Sequence, residues 1–143
     1  MKHLSYITET FTESVIREMT RISDAMGGLN LSQGFPDFES PDGIKNAAIN
    51  AIQSNKNQYP VTFGEPELRE AISKKILGYN RIQSDPVTDI TVTCGATEAM
   101  IATLKAIINP GDEIIIFEPF YENYGPDGIL SGAKPKYVKL HTP

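Results

Sequence analysis

Four short stretches of the sequence carry residue types and spacings capable of chemistry. In Val92-Thr93-Cys94-Gly95-Ala96-Thr97-Glu98 an alternating β-branched run ends, a glycine lets the backbone turn, and a helix begins with a hydroxyl in its first turn. N–H groups at such a helix end, with the helix dipole behind them, form an anion site suited to a phosphate. Capping by Thr97 accounts for the same residues without any ligand. The second stretch, Glu118-Pro119-Phe120-Tyr121-Glu122-Asn123-Tyr124, follows the carboxyl end of the next predicted strand. Ligands gather at that edge of an open α/β sheet. An aromatic held there by a proline-stiffened loop can stack on a planar ring, and the alternative is that Phe120, Tyr121 and Tyr124 simply cover the core. The third, Gly34-Phe35-Pro36-Asp37-Phe38, offers a glycine N–H that can approach a carboxylate closely, or is an ordinary turn between aromatic plugs. The fourth is Tyr59 in Gln58-Tyr59-Pro60-Val61-Thr62-Phe63-Gly64, whose phenol can donate to an anion or be a half-buried structural tyrosine.

Other chemistries lack their residues. Cys94 is the lone cysteine, so no intrachain disulfide forms, and without a nearby histidine it reads as a small buried residue on a strand face. His3 and His141 stand at opposite ends, which leaves no ligand set for a metal and no convenient base for a nucleophile. Neither a G-x-G-x-x-G nor a G-x-x-x-x-G-K-[ST] pattern occurs. Ser131-Gly132-Ala133-Lys134 has the S-x-x-K spacing without the companion motifs that give it meaning. The net charge is −5 and the pI about 5.0, which supplies no basic footprint for nucleic acid or an anionic membrane. The N-terminus has no apolar signal region, and apolar runs fall far short of a span. A cytoplasmic α/β domain is the expectation.

The elements that must position these stretches follow from periodicity. Apolar residues Phe11, Val15, Ile16, Met19 and Ile22 predict an amphipathic helix within 11–25, stopped by Gly27-Gly28. Ser40-Pro41-Asp42 is a helix start with Ser40 as cap, and Ile44, Ala47, Ala48, Ala51 and Ile52 make the inner face. A further helix runs from Pro66 to Tyr79 with Leu68, Ala71, Ile72 and Ile76 inward. Its outer face of Glu67, Arg69, Glu70, Lys74 and Lys75 is solvated. Strands are predicted at 90–94, 113–117 and 136–140, separated by helices at 97–108 and within 121–131. The first of these helices, apolar almost all round, is expected to be buried. Strand alternating with helix implies a parallel sheet.

Taken in order, Leu31-Ser32-Gln33-Gly34-Phe35-Pro36-Asp37-Phe38, Asn57-Gln58-Tyr59 with Gly64 and Leu68-Arg69, Thr91 through Ala99, Pro110-Gly111-Asp112-Glu113 and Glu118-Pro119-Phe120-Tyr121 closely resemble the N-terminal part of a class I/II aminotransferase. This is a fold type I enzyme dependent on pyridoxal 5′-phosphate (PLP), and the forms of the motifs are most similar to the kynurenine and methionine aminotransferase branch. The resemblance implies a three-layer α/β/α fold with a mostly parallel sheet, here truncated. Residues 1–40 would be an N-terminal arm and small-domain segment, and 41–143 the incomplete first part of the PLP-binding large domain. It implies that Gly95, Ala96 and Thr97 hold the PLP phosphate and that Tyr121 stacks on the ring. Gly34 would offer its N–H to the substrate α-carboxylate, and residues near Val15 to Met19 would line the substrate side. Tyr59 would reach the partner's site in a homodimer. Amino acid and 2-oxo acid substrates follow, with no metal. The family's Schiff-base lysine falls beyond position 143, so the 143-residue chain alone is expected to be an inactive fragment, and apolar surface is expected on its strand and helices. A PLP-dependent C–S β-lyase and a non-catalytic binding or dimerisation fragment remain open beside the aminotransferase.

Overall fold

Proline and left-handed residues punctuate the chain where its helices begin and end. The computed structural model describes residues 4–142, so His3 lies outside the described residues. A short 3-10 turn at Tyr6–Thr10 precedes helix α1, Val15–Ala25. Then come α2 (Asp42–Gln53), α3 (Pro66–Asn80), α4 (Gly95–Ile107), strand β1 (Glu113–Glu118), α5 (Tyr124–Leu130) and strand β2 (Lys134–Lys139). Helix α2 gives way to Asn55 at φ 59°, and α3 ends on Arg81 at φ 61°, both left-handed residues that end a helix. Pro66 opens α3, where a missing N–H costs nothing. The cap of α2 is Pro41, one residue later than the expected Ser40, and no side chain caps it. The Pro41 carbonyl accepts from Ile44 and Lys45 instead.

The chain divides into two compact units. One takes the segments up to Phe35 and from Cys94 onward, and the other is Pro36–Thr93. In the first, β1 and β2 pair in parallel, with Glu113 opposite Lys134 and Glu118 opposite Lys139. Helix α5 makes the connection, as a parallel pair requires. Phe120 stacks on Tyr137 at 5.4 Å between ring centroids, fixing the loop after β1 onto β2. Ile116 and Ala133 are buried there.

The predicted strand at 90–94 does not form. Ile90 is buried and the Val92 N–H donates to the Phe63 carbonyl at 3.0 Å, so the stretch is tied to a loop and joins no ladder. β-Branched alternation favours an extended backbone, but it cannot supply the neighbour that makes a strand. Cys94 is correspondingly exposed, not buried, because it ends the extended stretch at the head of α4. Helix α4 is not buried either. Met100, Ile101 and Leu104 are half-buried on one face, while Ile107 is 68% exposed. On β1, Ile115 and Phe117 are exposed as well. The apolar surface expected on the strand and helices is therefore present.

In the second unit the outer face of α3 departs from expectation at Arg69, which is buried. Its Nε donates to the Gly64 carbonyl at 3.1 Å, and its Nη1 donates to the carbonyls of Pro86 at 2.9 Å and Val87 at 3.1 Å. The helical pattern placed Arg69 outside because periodicity registers only the helix's own faces. Gly64 lies in the loop just before α3, whereas the loop carrying Pro86 and Val87 is 17 and 18 positions away and is non-local. Leu68 and Ala71, expected inward, are exposed, as are Ile44 and Ile52 of α2.

Candidate functional site

Helix α4 opens on Cys94 and Gly95. Cys94 is its cap residue and contributes no side-chain cap; its backbone N–H donates to the Glu98 carboxylate one turn on. Gly95 has φ +79°, a conformation that favours glycine, and a Cβ there would meet no atom within 4 Å. The first turn of a helix lacks intrahelical acceptors for its N–H groups and carries the positive end of the dipole. Thr97 adds its hydroxyl. Asn123 Nδ2 donates to Thr97 Oγ1 at 3.0 Å, which occupies an oxygen lone pair and leaves the hydroxyl proton to donate elsewhere.

A second hydrogen-bond chain ties α1 to the loop after β1. Ser14 caps α1 by accepting from the Arg17 N–H at 3.3 Å, and its hydroxyl donates to Glu122 Oε1 at 2.6 Å. The other carboxylate oxygen of Glu122 is buried with no hydrogen-bond partner. Further along α1, Asn30 donates to Thr20 Oγ1 at 2.9 Å, and the single Thr20 hydroxyl proton goes to the Ile16 carbonyl at 2.9 Å. The Asn30 bond ties the segment before Gly34 to the helix.

The result is a cavity of about 570 Å³ whose wall includes Arg17, Gln33, Gly34, Thr97, Tyr121 and Asn123. Three of the sequence-predicted residues, Gly34, Thr97 and Tyr121, therefore share one cavity. Gly95 and Ala96 open the helix that carries Thr97. Tyr121 is half exposed, packs edge-on against Tyr124 at 6.0 Å, and also lines a neighbouring apolar cavity of about 470 Å³ with Met100, Leu104, Ile115 and Phe117. Of the three aromatics in its loop, Phe120 serves packing, whereas Tyr121 and Tyr124 present ring surface. Tyr59 belongs to the other unit and its side chain is fully exposed, not half-buried. Sequence reasoning missed the Asn123–Thr97 and Ser14–Glu122 bonds, which join residues 26 and 108 positions apart. The only local trace of the second is Ser14 itself, a good cap residue before an amphipathic run.

Among the described residues no cluster of three His, Cys, Asp or Glu side chains could hold a metal, and no helix is long and apolar enough to cross a membrane. A buried carboxyl outside the cavity is also perturbed. Asp127 on α5 is buried with Oδ2 unpaired, and burial pushes its pKa above the ordinary aspartate value. It does not line the cavity.

Residues 27–143 match the family described as aminotransferase class I and II. The chain belongs to that family, whose enzymes are PLP-dependent and whose fold is of type I. It is 38% identical over 130 residues to the probable N-succinyldiaminopimelate aminotransferase DapC of Mycobacterium tuberculosis, covering 91% of this chain and 33% of that protein. It is also 38% identical to the methionine aminotransferase of Escherichia coli, covering 91% of this chain and 34% of that enzyme. The solved structure of the Escherichia coli protein YbdL, reported with a methionine aminotransferase function, superposes with a TM-score of 0.92 at 35% identity over 100% of this chain and 37% of its own. The chain thus spans about a third of the length of the relatives it matches.

The residues present fit PLP. A Cβ built on Gly95 at the α4 head would meet no atom within 4 Å, and Thr97 has a proton to give. Tyr121 offers ring surface at the cavity wall. Among the described residues no lysine lines that cavity.

Proposed function

We propose that the protein to which this chain belongs is a PLP-dependent aminotransferase that moves an amino group from an amino acid to a 2-oxo acid. The observation that carries the reading is the convergence of Gly34, Thr97 and Tyr121 on one cavity beside the head of α4. When bound, PLP supplies the electron sink for chemistry at the substrate Cα. The chain's own residues do the holding. The N–H groups of Gly95, Ala96 and Thr97, with the Thr97 hydroxyl aimed by Asn123, bind the phosphate. Tyr121 stacks on the pyridine ring and orients it. Gly34 donates its N–H to the α-carboxylate of the substrate. Tyr59, fully exposed on its loop, is free to reach a partner's phosphate in a homodimer.

Residues 1–40 act as an arm and small-domain segment, and 41–143 as the first part of the large domain. The protein works in the cytoplasm. The 143-residue chain by itself is inactive, because the lysine that must join PLP is not in its cavity. The test is transamination by the protein made from its complete reading frame, across a panel of amino donors and 2-oxo acids, with PLP affinity read by absorbance titration. Tyr121→Ala should weaken PLP binding by about 0.5–1.5 kcal/mol, roughly two- to twelvefold. Unchanged affinity removes Tyr121 from the cofactor site. Trapping of PLP by borohydride on one defined lysine of the 143-residue chain overturns the claim that this chain lacks that lysine.

A further inference from the structure

The fold of its own unit makes no use of the Tyr59 side chain. It is fully exposed, and among the described residues it has no ring contact. The loop that carries it, between α2 and α3, is nevertheless pinned. Pro60 fixes its own φ and restricts Tyr59 before it to extended backbone. The Gly64 N–H closes a turn onto the Val61 carbonyl at 2.8 Å, and the Val92 N–H donates to the Phe63 carbonyl at 3.0 Å.

Two residues near the start of α3 tie down the two ends of this loop. Lys56 at its start pairs with Glu67 at 2.9 Å, but both side chains are exposed, and such a pair is screened by water. Arg69 is buried and bonds the Gly64 carbonyl at the other end. The same guanidinium donates to the carbonyls of Pro86 and Val87, whose loop is braced by its own bonds. There the Val87 N–H donates to Asp85 Oδ1 at 2.7 Å, the Asp85 N–H to Asp89 Oδ2 at 2.9 Å, and Ser73 Oγ of α3 to the Ser84 carbonyl at 2.8 Å. Arg69 thus locks the Gly64 end of the Tyr59 loop to α3 and to a braced turn.

We infer that Arg69 is a positioning residue for the cofactor site of the partner subunit: by fixing the Gly64 carbonyl it holds Tyr59 where its phenol meets the partner's PLP phosphate. A loop already held in place loses little freedom when its phenol binds, so rigidity before binding is read as affinity. The inference rests on the aminotransferase reading and on the place of Tyr59 in it.

The protein from the complete reading frame is made as Tyr59→Phe, Arg69→Ala and Arg69→Lys. PLP affinity is read by absorbance titration well below each melting temperature, and Arg69→Lys serves if Arg69→Ala does not fold. Tyr59→Phe should raise the PLP Kd about tenfold, the loss of one hydrogen bond to a charged group. Arg69→Ala should raise it about three- to tenfold, and Arg69→Lys by less, because the tyrosine is present but loosely held. Added to Tyr59→Phe, either change should cost less than about twofold more, since the contact it positions is already gone. Mixed dimers separate this role from damage to the fold. With the Arg69 and Tyr59 changes on the same protomer, one site should keep native affinity; with the changes on opposite protomers, both sites should weaken. An unchanged Kd in both Arg69 variants, full additivity with Tyr59→Phe, or no native site in either mixed dimer overturns the assignment while the aminotransferase reading stands. An unchanged Kd in Tyr59→Phe removes Tyr59 from the partner's site and this assignment with it. Absence of transamination with every donor and acceptor pair overturns the aminotransferase reading itself.

Discussion

Replacing Arg69 with alanine should destabilise the Pro36–Thr93 unit by about 3 kcal/mol. The figure follows from the geometry. Three hydrogen bonds from a charged donor to the carbonyls of Gly64, Pro86 and Val87 are lost, each worth about 1.5–3 kcal/mol. Against that gain stands the cost of holding a guanidinium out of water, several kcal/mol for a buried ion. No carboxylate among the described residues pairs with Arg69 to offset it. The difference is about 3 kcal/mol, which for a unit in a chain of this size is a fall in melting temperature of roughly 10 °C. Calorimetry reads the global shift. Hydrogen exchange at the Val92 amide, bonded to the Phe63 carbonyl at 3.0 Å, reads the local one. Its protection should fall, because Gly64, next to Phe63, is what Arg69 holds. Arg69→Lys keeps the charge but not the fork that spans two loops, so it should recover less than half of the loss. A shift under about 2 °C with unchanged Val92 protection would refute the reasoning.

Gly64→Ala should cost about 1–3 kcal/mol in urea denaturation, because φ is +102° and a Cβ would lie 2.5 Å from Val92 Cγ2. Asp127→Asn should raise the urea midpoint near pH 7 and have little effect near pH 3. Burial raises the folded-state pKa, so the native state binds the proton more tightly than the unfolded chain. Stability contributed by protonated Asp127 is then present below the unfolded pKa and lost as pH rises through the folded one. A mutant whose midpoint differs from the native protein equally at both pH values would speak against a charged, unpaired Asp127. Ser14→Ala should lower stability by about 1–2 kcal/mol, since α1 loses its cap and Glu122 loses the partner of its one bonded oxygen. Double-mutant analysis with Glu122→Gln should show strong coupling, and additive effects would argue that the 2.6 Å contact carries no energy.

Much of the local structure was written in the sequence. Pro66 and the period of Leu68, Ile72 and Ile76 marked α3 within a residue of its ends, because capping and periodicity are properties of neighbouring residues. The apolar run Ile114-Ile115-Ile116-Phe117 marked β1 in the same way, and the helix between it and Lys136-Tyr137-Val138 implied the parallel pairing that is found. The order of Gly34, Gly95-Ala96-Thr97 and Tyr121 along the chain was enough to indicate the family, since those motifs are short and contiguous. What sequence left undetermined was everything that depends on a distant neighbour. Ile90 through Cys94 has the composition of a strand but no ladder to join. Arg69 has the position of a surface residue, yet two loops close over it. Ser14 finds Glu122 across 108 positions, and Asn123 orients Thr97, bonds that no local pattern encodes. Burial and hydrogen-bond partnership are properties of pairs brought together by folding. The sequence alone therefore determined which residues could do the chemistry, and only the tertiary structure decided which of them share a cavity and what holds them there.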